Sequence, residues 1–156
     1  MPKIDIASIE IDTRSGYPDP YRKVTIGRER KRLGNVVGLD QFGVNLSRLK
    51  PGAQSSQRHW HDNEDEFVYI LEGEVVLHED DGETTLRPGD AAGWKAGVPN
   101  GHCLINRSDR DAVFLEIGTR AKTERAQYPD IDLLAVKDES GFRYLHKSGE
   151  EYPKAG

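Results

Sequence analysis

The sequence predicts an all-β protein, a sandwich or barrel of short antiparallel strands. Three observations predict it. Between residues 36 and 118 the apolar runs are short, rich in Val, Ile, Leu and Phe, and bounded by Gly, Asp, Asn or Pro. Glycine and proline are frequent, 16 and 8 residues in a chain of 156, which favours tight turns over long helices. No stretch of this region sustains a helical apolar period long enough for a helix.

The elements follow in order. Residues 1–35 read as an N-terminal extension with a loop at Ser15-Gly16-Tyr17-Pro18-Asp19-Pro20. It ends in the most basic stretch of the chain, Arg28-Glu29-Arg30-Lys31-Arg32. That run reads either as a phosphate-binding patch or as a solvated loop or edge strand. The second reading is preferred, because charges on an edge discourage stray strand pairing. Residues 36–118 form the barrel, with strands expected at 36–37, 43–49, 55–61, 66–71, 75–79, 84–87, 91–94, 101–105 and 112–118. Asp81-Gly82 between two runs signals a hairpin. Residues 119–156 form a C-terminal tail, with one helical turn expected at 128–134 and a final strand at 142–145. Its aromatic residues Tyr128, Phe142, Tyr144 and Tyr152 need somewhere to pack, so the tail covers the barrel or meets a second subunit.

Composition excludes several function classes. With 22 basic and 27 acidic residues the net charge is −5, which argues against a general nucleic-acid binder. The longest apolar run, 67–71, is far too short for a membrane span. Acidic residues stand near the N-terminus where a secretory signal needs an apolar stretch. One cysteine excludes an internal disulfide framework. The expectation is a cytoplasmic protein that binds a small molecule and contacts neither membrane nor nucleic acid.

The chemistry concentrates in Arg58-His59-Trp60-His61-Asp62-Asn63-Glu64-Asp65-Glu66. On a strand, residues two apart share a side. His59 and His61 therefore project together and Trp60 projects away, to pack elsewhere. Glu66 opens the next strand after a four-residue turn and can join the two imidazoles on one wall. Two histidines and a carboxylate suit a divalent metal. Glu64 and Asp65 are alternative carboxylates, read as exposed turn residues, one of which could accept an imidazole N–H. His102 is a fourth candidate if the chain folds back. Trp94 is expected near the pocket mouth in a stacking role. Asn45, Ser47 and Gln57 could line the cavity. Tyr69, His78 and His146 are placed outside the site, and Cys103 is read as a small core residue pointing away from His102.

These residues resemble those of the cupins, small jelly-roll barrels with two motifs. Gly52, His59-Trp60-His61, Glu66 and Gly73 follow the first motif; Gly89, Gly97, His102 and Asn106 follow the second. The spacers before His59 and before His102 are longer than usual, and Lys95 stands where proline is common. Turns tolerate such insertions, and the loop at 95–101 is placed near the pocket mouth. The resemblance implies a double-stranded β-helix and one divalent ion (Fe, Mn, Ni, Co or Zn) held by His59, His61, Glu66 and His102. It also implies a homodimer. The function it suggests is a metal-dependent enzyme acting on a small oxygenated metabolite. Isomerase or lyase chemistry through a metal-bound enolate, like that of sugar-phosphate-isomerase-like cupins, is favoured. An Fe(II)-type dioxygenase and a non-catalytic small-molecule-binding cupin are the alternatives.

Overall fold

The computed structural model describes residues 2–154. The strands are β1 (Arg28–Arg32), β2 (Phe42–Leu49), β3 (Trp60–His61), β4 (Glu66–Glu72), β5 (Val75–Glu79), β6 (Gly82–Leu86), β7 (Ala91–Trp94), β8 (Cys103–Ile105), β9 (Ala112–Thr119), β10 (Glu124–Tyr128), β11 (Leu133–Asp138) and β12 (Gly141–Leu145). No α-helix forms among the described residues. The strands make three antiparallel sheets, ordered β1-β2-β9-β4-β7, β6-β5-β8 and β12-β11-β10-β3. The all-β expectation holds.

The inward faces of the first two sheets enclose a core of Leu49, Val68, Ile70, Val75, Leu77, Leu86, Leu104, Ala112 and Phe114. Along several strands the inward positions turn from apolar to polar. On β2, Leu49 gives way to Ser47 and Asn45; on β9, Phe114 gives way to Glu116; on β4, Ile70 and Val68 give way to Glu66. Period-two alternation keeps each set on one face. The same barrel interior is therefore a packed core in one part and a polar cavity in another.

Several local expectations are corrected. Residues 35–37 form a 3-10 turn rather than a strand, because Gly34 and the left-handed Gly38 close the chain on itself. The expected strand at 55–61 is mostly bent, and only Trp60–His61 pairs as a strand. The basic run, by contrast, is an edge strand as the preferred reading has it: β1 ends its sheet and pairs with β2 along its whole length. The tail forms no helical turn at 128–134; Tyr128 ends β10, a turn follows, and Leu133 opens β11. The alternation of buried Glu124, Ala126 and Tyr128 marks β10 as a half-buried strand. The final strand falls at β12 as expected. A second apolar cluster joins extension and tail through Tyr17, Ala126, Tyr128, Leu133 and Ala135, with Tyr144 and Tyr152 packed against it.

Gly73 sits in the β4–β5 turn at φ +69°, and a Cβ there would lie 2.4 Å from the Asp111 carbonyl oxygen. Backbone, not a flexible side chain, blocks the space. Gly73→Ala is expected to lower stability by about 2–4 kcal/mol, combining the positive-φ penalty with the clash. Urea unfolding reads this as a lower midpoint. A midpoint equal to the wild type's would show that the turn relaxes freely.

Candidate metal centre

The chain places His59 directly opposite His102. The two residues exchange backbone hydrogen bonds, His59 N–H to His102 O at 3.2 Å and His102 N–H to His59 O at 2.9 Å. His61 lies two residues on, and the turn at 62–65 returns the chain to Glu66 on β4. His59 Nε2 is 3.1 Å from His61 Nε2. His61 Nε2 is 3.2 Å from Glu66 Oε1, and His59 Nε2 is 3.7 Å from Glu66 Oε2. His102 Nε2 also contacts Glu66 Oε2. All four residues singled out in the sequence are thus together.

The outward ring nitrogens explain why the inward ones are available. His59 Nδ1 is 2.8 Å from the Gln57 carbonyl and His102 Nδ1 is 3.1 Å from the Asn100 carbonyl. A carbonyl can only accept, so each Nδ1 carries a proton, which leaves Nε2 as the nitrogen that would ligate an ion at the common centre. His61 Nδ1 is buried with no hydrogen-bond partner among the described residues. Glu124 Oε1 lies 3.5 Å from it, a charge contact rather than a formed hydrogen bond. Burial opposes ionisation of Glu66, but the charge of His59 and the hydrogen bonds of His102, His59 and His61 outweigh it and hold the carboxyl well below its usual range. Burial likewise opposes charging of His61, yet attraction to Glu124 and Glu66 pushes it up to about 10. The ligand atoms of His59, His61 and Glu66 lie within 4.8 Å of one another, and His102 joins them through its contact with Glu66; three imidazole nitrogens and a carboxylate fit a divalent ion of borderline softness.

Neighbouring residues fix this arrangement. The Trp94 ring stacks on the His102 imidazole, with centroids 3.8 Å apart and planes 7° apart, and its indole N–H donates to Glu79 at 2.8 Å. Trp94 therefore braces a candidate ligand, where the sequence had suggested stacking at the pocket mouth. The loop at 95–101 contributes no residue to the cavity wall. It holds candidate ligands in place instead, through Gly97 N–H to His61 O at 2.8 Å and the Asn100 carbonyl. Neither Glu64 nor Asp65 is the main acceptor facing an imidazole. Glu64 receives Ala121 N–H and the Lys137 ammonium, each at 2.9 Å, and Asp65 receives Ala96 N–H at 2.8 Å. Glu124, from β10, faces His61 and also accepts the N–H groups of Asp62 and Asn63 at 3.0 Å. His61, Glu64 and Glu124 lie close enough to share an ion, but the Lys137 ammonium already occupies Glu64.

The centre opens into a cavity of about 400 Å³. Asn45 lines it as expected. Ser47 is fully buried and donates to Glu116, and Gln57 turns away to the Tyr21 carbonyl. Walls that the sequence reading missed come from both ends of the chain: Arg14 and Tyr17 from the extension, Arg28, Arg30 and Arg32 from β1, and Tyr144 from the tail. Trp60, Tyr69, His78 and His146 do not line it. Cys103 is buried, and burial pushes its thiol up to about 11, which leaves it unreactive at neutral pH.

Comparison with known proteins agrees with this architecture. The Cupin domain family matches residues 45–118. A solved cupin-superfamily structure from Silicibacter pomeroyi, named a sugar phosphate isomerase, is 47% identical, with 99% of each chain covered and a TM-score of 0.92. The chain belongs to the cupin superfamily. A structure from Acidithiobacillus ferrooxidans, provisionally named a sugar phosphate isomerase, is 26% identical with a TM-score of 0.73, covering 82% of this chain and 81% of that one. The polyketide cyclase RemF from Streptomyces resistomycificus shares the fold alone, at 17% identity and a TM-score of 0.63, covering 76% of this chain and 79% of that one. No curated protein matches the chain.

Proposed function

We propose that this protein is a metal-dependent enzyme acting on a small oxygenated metabolite, with isomerase or lyase chemistry on a sugar phosphate or similar compound. The observation that carries the reading is the convergence of His59, His61, Glu66 and His102 at the wall of a substrate-sized cavity. The similarity along the whole chain to the Silicibacter pomeroyi protein named a sugar phosphate isomerase supports the choice of chemistry. An ion held by these four residues would supply Lewis acidity toward a substrate carbonyl or hydroxyl. The chain's own part is to keep that ion's ligands in one tautomer and orientation, through the Gln57 and Asn100 carbonyls and the Trp94 stack, and to limit water around the reacting groups.

Metal-loaded protein screened anaerobically against sugars, sugar phosphates and keto acids tests the reading. Turnover without oxygen supports it. Oxygen consumption with bound iron would replace it by a dioxygenase. Ligand-induced stabilisation without turnover would replace it by a binding module. The reading includes a homodimer, supported by the half-exposed row Phe67, Tyr69 and Leu71 on the outer face of β4. Phe67 and Tyr69 lie beside Ile117 and Leu115 of β9, and a two-fold pairing would cover this apolar face on both copies at once. Light scattering at twice the 17.5 kDa chain mass supports the dimer, and the mass of one chain overturns it.

A further inference from the structure

The cationic wall of the cavity has a feature that the metal centre does not use. β1 pairs with β2 so that Arg28 stands opposite Leu49, Arg30 opposite Ser47 and Arg32 opposite Asn45. Cross-strand partners share a face, and Leu49 and Ser47 are fully buried. The three arginines therefore point into the barrel, and Glu29 and Lys31 point out. Their charges are not equally balanced. Arg32 is paired with Asp12 at 2.9 Å and is half exposed. Arg30 gives only its Nε to Glu116, at 3.0 Å, and its two terminal nitrogens have no acceptor among the described residues.

Arg28 is the outlier. It is 6% exposed and has no carboxylate partner among the described residues. Its Nη1 donates to the Ser55 carbonyl at 2.6 Å and its Nη2 to the Arg14 carbonyl at 3.0 Å. Its Nε is buried with no partner among the described residues. A guanidinium carries five N–H donors, so most of its hydrogen-bonding capacity is unused. Burying a cation without a counter-charge is costly, and here burial together with the nearby Arg30 charge pushes the guanidinium down to about 10. Both side chains line the cavity that holds the metal centre.

We propose that Arg28 and Arg30 form an oxyanion subsite, which binds the phosphate or carboxylate group of the substrate while its oxygenated end faces the metal centre. The inference rests on the proposed function in taking this cavity as the substrate site. It deepens that reading by requiring an anionic group on the substrate. An oxyanion supplies the counter-charge that Arg28 lacks and acceptors for the free nitrogens of Arg30, and charge-assisted hydrogen bonds of this kind are strong. Glu116 and its Ser47 hydrogen bond hold the Arg30 stem, so the subsite is preformed.

Calorimetric titration of the full chain with inorganic phosphate and, separately, with acetate tests this, using both metal-loaded and metal-stripped protein. At least one anion is expected to bind both forms. The preferred one tells a phosphoester substrate from a carboxylate. Arg28→Gln is expected to weaken binding about 10- to 100-fold, and Arg28→Lys less, because it keeps the charge. If Arg28→Gln does not fold, Arg30→Gln and Arg28→Lys carry the comparison. Absence of binding by both anions in the wild type overturns the inference. So does binding that needs the metal and ignores the arginine substitutions, since the anion then sits on the ion. Metal content measured on the same samples keeps the two readings separable: full metal with no anion binding removes the subsite and leaves the metal centre standing.

Discussion

Protein purified without a His-tag or chelator is expected to carry about one equivalent of a divalent metal, and His59→Ala, His102→Ala and Glu66→Gln are each expected to lose it. The expectation follows from geometry. Glu66 lies within reach of all three imidazoles, so its removal takes away the common partner. Glu66→Gln is nearly isosteric and tests the charge with little change in packing. Loss of a direct ligand should weaken metal binding by at least about 100-fold, more than the loss of an outer hydrogen-bond partner. Elemental analysis reads the stoichiometry and competition with a chromophoric chelator reads the affinity. The wild type should also gain stability on metal addition, about 2.7 kcal/mol when free metal is at 100 times its Kd, and the variants should not. Wild-type protein that takes up no metal after reconstitution would remove the enzyme reading and leave a small-molecule-binding barrel.

How much of this was legible in the sequence depends on the distance between the signals. His59 and His61 share a strand side by parity, and Glu66 follows after one short turn, so local rules suffice for three of the four candidate ligands. His102 is 43 residues from His59, and its position came from resemblance to the cupin motifs. Their backbone pairing shows the physical basis. Gly73 and its fixed spacing are explained by the approach of the Asp111 carbonyl, a contact no local rule contains. The basic run shows the opposite case. Its charge density suggested a solvated edge, and it is an edge strand. Its period of two, however, sends Arg28, Arg30 and Arg32 inward, and that alternation was present in Arg-Glu-Arg-Lys-Arg. Glu124 was the least visible contributor. It lies 62 residues from Asp62, whose backbone it holds, on a strand whose inward positions include the small residue Ala126 and so give a weak apolar signal.

Glu124→Gln is expected to weaken metal binding about 10- to 100-fold and to change its pH dependence. With an ion at Nε2, His61 must carry its remaining proton on Nδ1, 3.5 Å from the Glu124 carboxylate. The carboxylate favours that proton and raises the basicity of the ligating nitrogen. It also fixes the turn through the Asp62 and Asn63 N–H groups. The neutral amide retains one acceptor oxygen for that turn but loses the charge. Without metal, His61 is held charged up to about 10 instead of the ordinary 6.5, so an ion arriving at neutral pH must displace its Nε2 proton. Affinity should therefore rise with pH between about 6.5 and 10, and the rise should be shallower in Glu124→Gln, where the pull on the proton is weaker. Stability moves the other way in metal-free protein. A raised histidine pKa contributes fully below 6.5 and is lost as pH climbs toward 10, whereas the lowered Glu66 contributes above its ordinary 4.5 and is lost as pH falls. Metal-free wild type should accordingly be most stable near pH 4.5–6.5 as far as these two groups decide it, and metal should flatten the alkaline loss. Denaturation midpoints across pH, with and without metal, check both signs. A Glu124→Gln profile that overlays the wild type in affinity and pH slope would show that the tail strand only packs on the barrel and takes no part in setting its metal centre.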